Sequence, residues 1–416
     1  MCKNAEEFLQ IREKDCMTDK KELELYFHIP FCVRKCAYCD FLSAPAAKEV
    51  QEEYMRALIL ETKGRADEYR DYRVSSVFIG GGTPSLVDAK LLVGLLETVR
   101  NHYELSEDAE ITIECNPGTL TKEKLQIYKD SGVNRLSIGL QSADNGELKT
   151  LGRIHTYEEF LEGYELAVNA GFTNINVDVM SALPGQSLAS YENTLRKVLS
   201  LNPVPPHISA YSLIVEEGTP FFERDERGEL NLPDEDCERK MYERTEEMLL
   251  EAGFVRYEIS NYAKEGFECR HNCGYWKRTE YVGFGIGAAS LVNSIRFHNG
   301  SDIREYLRNP LACREDFQQL SLQEQMEEFM FLGLRMTEGV SCKEFSRKFG
   351  QDIREVYGDV IAENKQKGLL FEFAEGKEEP AGQEELTGQE KQGGRRLALT
   401  KKGLDVSNQV MADFLF

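Results

Sequence analysis

Tyr26-Phe-His-Ile-Pro-Phe-Cys32-Val-Arg-Lys-Cys36-Ala-Tyr38-Cys39-Asp40-Phe41 decides how the rest of the chain is read. An apolar run ends in three thiols spaced C-x3-C-x2-C. Thiolates are soft ligands that select iron–sulfur clusters or zinc. A closed structural zinc site wants a fourth ligand, and Asp40 and Phe41 follow directly with no further thiol at short spacing. A [4Fe–4S] cluster on Cys32, Cys36 and Cys39 leaves one iron open, where a small chelating molecule can bind. Zinc is the alternative reading of the same triplet.

Outward from this loop the chain alternates short apolar runs, rich in β-branched and aromatic residues, with segments of helical period. Strands are expected over 23–28, 74–79, 110–114, 135–139, 174–179 and 207–213. Helical stretches over 49–69, 89–99, 122–131, 157–170 and 188–199 separate them. Such alternation implies parallel strands joined by right-handed crossovers. Six units predict an α/β fold, an open, partial (β/α)6 barrel of TIM-like type. Ligands in such folds sit at the C-terminal ends of the strands. The unusual residues fall there: the cysteines after the first strand, Gly80-Gly81-Gly82-Thr83-Pro84 after the second, Glu114 closing the third, Gln141 after the fourth and Asp178 near the end of the fifth. Cys115, beside Glu114, is either a further thiolate within reach of the cluster or a free thiol.

Residues 1–20 read as a lead segment, 21–300 as the barrel and its extension, and 301–416 as a small helical domain resembling a winged helix. Within that domain, residues 373–396 are too poor in apolar side chains to pack and are expected to form a flexible acidic insertion. The domain suits either a lid over the barrel mouth or a partner-docking surface.

The 416 residues contain 50 Lys+Arg against 72 Asp+Glu, a formal net charge of −22, and the basic runs are short. Such a chain repels a phosphate backbone, so nucleic acid is not expected as a partner. No apolar stretch is long enough to span a membrane and the first residues lack an apolar signal core. A cytoplasmic location follows, with membrane association at most peripheral. Eleven cysteines in a chain this long point to metal or redox chemistry in a reducing compartment rather than to disulfides. Cys2, Cys16, Cys237, Cys313 and Cys342 are isolated and read as ordinary free thiols.

The cysteine triplet, with an aromatic before its third member, resembles the signature of the radical S-adenosylmethionine superfamily. The run of three glycines is similar to that superfamily's glycine motif. The ordered segments LYFHIPFC, GGGTPS, TIECNPGTL, RLSIGLQS, LGRIHT, INVDVMSALPGQ and YEISNYA resemble its coproporphyrinogen III oxidase (dehydrogenase) branch over almost the whole chain. The resemblance implies a [4Fe–4S] cluster whose open iron chelates S-adenosylmethionine (SAM), an electron donor that reduces it, and cleavage of the sulfonium to a 5′-deoxyadenosyl radical. It further implies that Tyr26, Gly81 and Glu114 contact the primary SAM. Tyr38, Gly82, Thr83, Gln141, Arg153 and Asp178 match positions that touch nucleoside or a second SAM. Glu114 suits an ammonium, Asp178 a ribose or ammonium, and Arg153 a carboxylate.

A second motif, His271-Asn272-Cys273-Gly274-Tyr275-Trp276, holds the only tryptophan of the chain. A lone histidine is commonly a hydrogen-bonded structural residue, but imidazole also ligates haem and aromatic rings suit a macrocycle face. H-N-x-x-Y-W resembles the haem motif of the HemW family of haem chaperones, a relative of the dehydrogenase. That implies haem as cargo, His271 as its ligand (Cys273 being a weaker candidate) and a haem-recipient protein. Phe41 stands where the dehydrogenase pattern carries a further cysteine, and only 25 residues precede Tyr26. Both departures favour the chaperone. The alternatives are the dehydrogenase, which would decarboxylate coproporphyrinogen III propionates without oxygen, and radical chemistry on some other substrate.

Overall fold

The computed structural model describes residues 20–374 and 394–415. The expected lead segment, apart from Lys20, and residues 375–393 of the expected insertion lie outside them.

Six strands run in parallel order: β1 (Lys21–Ile29), β2 (Tyr72–Gly81), β3 (Leu105–Cys115), β4 (Arg135–Gln141), β5 (Asn174–Ser181) and β6 (His207–Ser212). Helices Lys48–Arg65, Ala89–His102, Lys122–Asp130, Tyr157–Asn169 and Leu188–Leu199 fill the crossovers. Side chains alternate between the two faces of each strand. On β1, Leu23, Leu25, Phe27 and Ile29 join the apolar core, as do Val77 and Ile79 of β2, Ile111 and Ile113 of β3, and Ile175 and Val177 of β5. The intervening residues are polar or aromatic: Glu24, Tyr26 and His28 on β1, Ser76 and Phe78 on β2, Glu110, Thr112 and Glu114 on β3. They line the inner face. Parallel register stacks them in tiers, Glu24 beside Ser76 and Glu110 at the base, then Tyr26 beside Phe78 and Thr112 one tier higher.

The sheet does not stop at six strands. β7 (Val255–Arg256) and β8 (Asn261–Ala263) form a hairpin on β6. β9 (Glu280–Phe284) pairs parallel to β1, followed by antiparallel β10 (Ala289–Val292), β11 (Ile295–Asn299) and β12 (Arg314–Gln319). β1 and β6, the strands that would have to meet to close a barrel, are thus occupied by β9 and β8. The partial barrel stays open.

Residues 301–319 end on this sheet through β12, and a second core begins with the helix Leu322–Gly333. Met326, Phe329, Met330, Phe345, Tyr357, Leu397, Val410 and Phe414 are among its members. They come from that helix, from helices Cys342–Phe349 and Ile353–Gln366, from the residues after 406, and from a small sheet of β13 (Val340–Ser341), β15 (Arg395–Leu399) and β14 (Leu370–Ala374). A helix pair with a hairpin wing is the arrangement expected of a winged-helix module. The chain ends in two short helices, Lys401–Asp405 and Ser407–Ala412, broken at Val406.

Candidate functional site

The C-terminal ends of the strands converge on the cysteine loop. After Phe31 the loop is pinned by backbone pairing of Cys32 with Ala44 (N to O, 3.2 Å), Ala37 with Leu151 (3.0 Å) and Phe221 with Ala37 (3.0 Å). Loops following β1, β4 and β6 therefore share one floor, where Tyr38 packs against Leu151, Met180, Leu183, Leu213 and Phe221. Cys32, Cys36 and Cys39 are half-buried on this floor. Burial raises the Cys39 thiol, with Cys36 and Cys32 near enough to add to the effect.

The glycine turn shapes the opposite wall. Gly81 has φ of +113° and donates its N–H to Glu114 Oε2 at 3.0 Å; a Cβ there would lie 2.7 Å from the His28 ring. At Gly82 a Cβ would lie 2.7 Å from the Phe31 carbonyl and 3.0 Å from Cys32 Sγ. The turn therefore presses bare backbone against the cysteine loop. Thr83, buried beside it, approaches Cys32 Sγ with its hydroxyl (3.6 Å) and accepts from Asn116 Nδ2 at 3.2 Å.

Glu114 and Asp178 face each other across the inner wall. Desolvation first, and then the Asp178 charge, push the Glu114 carboxyl up to about 8. Burial likewise raises Asp178, which accepts from Asn176 at 2.7 Å. Arg153 bonds Asn116 and the Gly139 carbonyl and reaches Cys36 Sγ at 3.9 Å, while its buried Nε has no protein partner. Two carboxyls near one cation, with a spare guanidinium N–H, form a cradle for a zwitterion bearing ammonium and carboxylate groups. Gln141, buried at the end of β4, holds a left-handed φ of +72°, a strained geometry for a residue with a side chain. The strands thus bring Tyr26, Tyr38, Gly81, Gly82, Thr83, Glu114, Gln141, Arg153 and Asp178 to the cysteine end of the sheet.

Sequence reasoning left His28 unassigned. Its ring bridges the Tyr26 hydroxyl (3.0 Å) and the Leu42 carbonyl (2.8 Å). With Nε2–H donating to the carbonyl, Nδ1 accepts from Tyr26, which fixes the phenol and the end of the cysteine loop together. Its place at i+2 from Tyr26, on the same strand face, was the available signal. Cys115 points the other way from Glu114, into the core, where burial pushes its thiol up to about 12 and its Sγ–H faces the Ile113 carbonyl at 3.6 Å. It is turned away from the loop, so the further-thiolate reading gives way to the free thiol.

His271 lies elsewhere. The helix Arg270–Trp276 stands on the base of the inner face, its first amides bonded to the Glu110 carboxylate (Arg270 N and His271 N, each 3.2 Å). His271 is buried, with Nδ1 at 2.7 Å from Ser76 Oγ and Nε2 at 3.1 Å from the Tyr275 hydroxyl. Its ring stacks on Phe78 at 5.0 Å. Burial, then Arg135, lowers the imidazole to about 3, so it is neutral. Gly274 is required because a Cβ would collide with the Glu24 carboxylate. Ser76 precedes Gly81 by five residues on β2, about 16 Å along the strand, so the structure does not bring His271 to the cysteine end.

These features define a radical SAM protein: a parallel partial barrel with three thiols after its first strand and a glycine turn, a carboxyl pair and an arginine facing them. The radical SAM superfamily profile matches residues 26–198, and the HemN C-terminal domain profile matches residues 320–376. The thiol set, the Cβ-free glycine cradle and the spare Arg153 N–H fit the cluster and SAM that this superfamily uses. The chain is 36% identical to the heme chaperone HemW of Lactococcus lactis over 95% of its own length and 98% of that protein's. It is 42% identical to HemW of Escherichia coli over 65% and 70% of the two chains. Within the superfamily, the chain belongs to the HemW family. The solved coproporphyrinogen III oxidase HemN of Escherichia coli superposes with a TM-score of 0.78 over 98% of this chain and 93% of that one; at 20% identity the likeness is one of fold.

Proposed function

We propose that this protein is a haem chaperone: it binds haem as cargo and passes it to a recipient protein, and it keeps a [4Fe–4S] cluster and a SAM site. The observation that carries the reading is the match to a HemW relative across nearly all of both chains. In the proposal Cys32, Cys36 and Cys39 hold the cluster, and Tyr26, Gly81 and Glu114 contact SAM. Tyr38, Gly82, Thr83, Gln141, Arg153 and Asp178 complete the cofactor wall. His271 is the haem ligand. The cluster would supply one electron, from an external donor, to the bound SAM; the chain's own side chains bind, orient and shield. Among the described residues no helix is long and apolar enough to cross a membrane.

A second reading is favoured by one observation: Glu114, Arg153 and Asp178 form a cradle complete enough for chemistry. That reading is radical oxidative decarboxylation of coproporphyrinogen III. One experiment separates the two. The cluster is reconstituted without oxygen, and haem or coproporphyrinogen III is offered with SAM and a reductant. Stable haem binding, transfer to an apo-haemoprotein and no vinyl product is the expected result. Vinyl-bearing product with stoichiometric 5′-deoxyadenosine would overturn it.

A further inference from the structure

In the motif helix Arg270–Trp276, His271 and Trp276 are five positions apart, about 140° around the axis. The motif therefore makes two faces. His271 and Tyr275 turn into the base of the barrel, where both imidazole nitrogens are taken by Ser76 and Tyr275. Cys273 and Trp276 turn the other way, into a small apolar cluster with Tyr257, Phe267 and Met336. Met336 follows the first helix of the C-terminal unit, so this cluster is a seam between the two cores.

Polar contacts close the seam. Arg335 lies over the Trp276 ring at 4.3 Å, and Lys277 pairs with Glu338 at 2.9 Å. Glu328, buried in the helix Leu322–Gly333, takes Arg278 at 2.9 Å and Arg296 of β11 at 2.8 Å. Arg278, two residues past the motif helix, holds a left-handed φ of +56° to reach it. The Thr337 N–H donates to the Tyr257 carbonyl at 3.0 Å.

We infer that the C-terminal unit is a lock on the haem motif: iron reaches His271 only after the clamp of Glu328, Arg335 and Glu338 on residues 276–278 lets the motif helix turn out of the barrel base. The inference rests on the reading of His271 as haem ligand. In the closed state Tyr275 occupies Nε2, Ser76 occupies Nδ1 and the seam buries the opposite face. Release of the helix frees the imidazole and the Trp276 face together, which a rotation of either side chain alone does not.

The test uses the full chain with its cluster reconstituted. Glu338→Lys sets two ammonium groups against each other at an exposed edge of the seam, and Arg335→Ala removes the cation from Trp276. Each should raise amide hydrogen exchange of residues 270–277 and the haem association rate, followed in the Soret band, by the same factor of about five. Faster exchange with an unchanged haem rate would overturn the lock. So would exchange unchanged in both variants, since the clamp then does not hold the helix. His271→Ala tests the underlying reading separately: a wild-type Soret spectrum in that variant removes His271 as ligand, whereas its loss alongside an unaccelerated Glu338→Lys leaves the ligand standing and removes the lock.

Discussion

Burial of the Glu114 carboxyl costs the folded chain stability. Its carboxyl, raised from 4.5 to about 8, stays protonated at neutral pH in the folded chain and ionises near 4.5 in the unfolded one. Between those values the unfolded state holds fewer protons, so this group makes stability fall as pH rises, and the loss is complete above about 8. Glu114→Gln should remove that slope: denaturant unfolding of the cluster-free protein should find the variant more stable by up to about 4 kcal/mol at pH 8 and unchanged at pH 4. The same variant should bind SAM at least about ten-fold more weakly by calorimetry, because an amide cannot give up its proton to become the carboxylate that an arriving ammonium would draw out. At Gly82 the cost is steric. Gly82→Ala pushes a methyl against the Phe31 backbone and Cys32 Sγ, so iron content and the cluster absorbance should drop while the far-ultraviolet circular dichroism stays that of the parent. Cys115→Ala, on the far face of β3, should keep a full cluster.

At the scale of elements, the six parallel strands were legible because their apolar outer-face residues and the aromatic or β-branched residues between them make short runs that helical segments separate, and each observed strand covers its expected range to within a residue. RLSIGLQ of β4 is buried at every position. The gathering of Glu114, Gln141, Arg153 and Asp178 at the cysteine end was legible for a related reason: polar side chains at the C-terminal ends of such runs collect where the connecting loops meet. β9 was not legible. Glu280–Phe284 is short and runs into the glycines 283, 285 and 287, which hide the apolar pattern of a strand. In the structure Gly285 and Gly287 hold left-handed φ and leave room for Tyr54 and Leu42, so the glycines serve packing across the sheet's edge. The two-faced motif helix was also hidden, since six adjacent letters look like one site until helical period divides them. Glu328 makes this level testable. Glu328→Gln leaves Arg278 and Arg296 without their carboxylate partner, Arg278 at 9% side-chain exposure, and thermal melting should show a loss of roughly 3 kcal/mol.

For the whole molecule, two apolar cores joined by a small seam with a charged rim predict unfolding that is not a single cooperative step. Scanning calorimetry should give a calorimetric enthalpy above the van't Hoff value, and the earlier transition should shift in Glu328→Gln. One feature of the large sheet also bears on how the chain is made. β1 is synthesised first, yet its second edge is covered only by β9. At synthesis rates of about 5–20 residues per second, the roughly 250 residues between them take on the order of 13–50 s to appear. Through that interval an apolar strand has one side unpaired, and the cysteines that follow it stand on an unfinished floor, because Phe221 and β9 are not yet present. Iron–sulfur insertion is therefore expected only after most of the chain has emerged, and chains halted before residue 280 should carry no iron when isolated without oxygen.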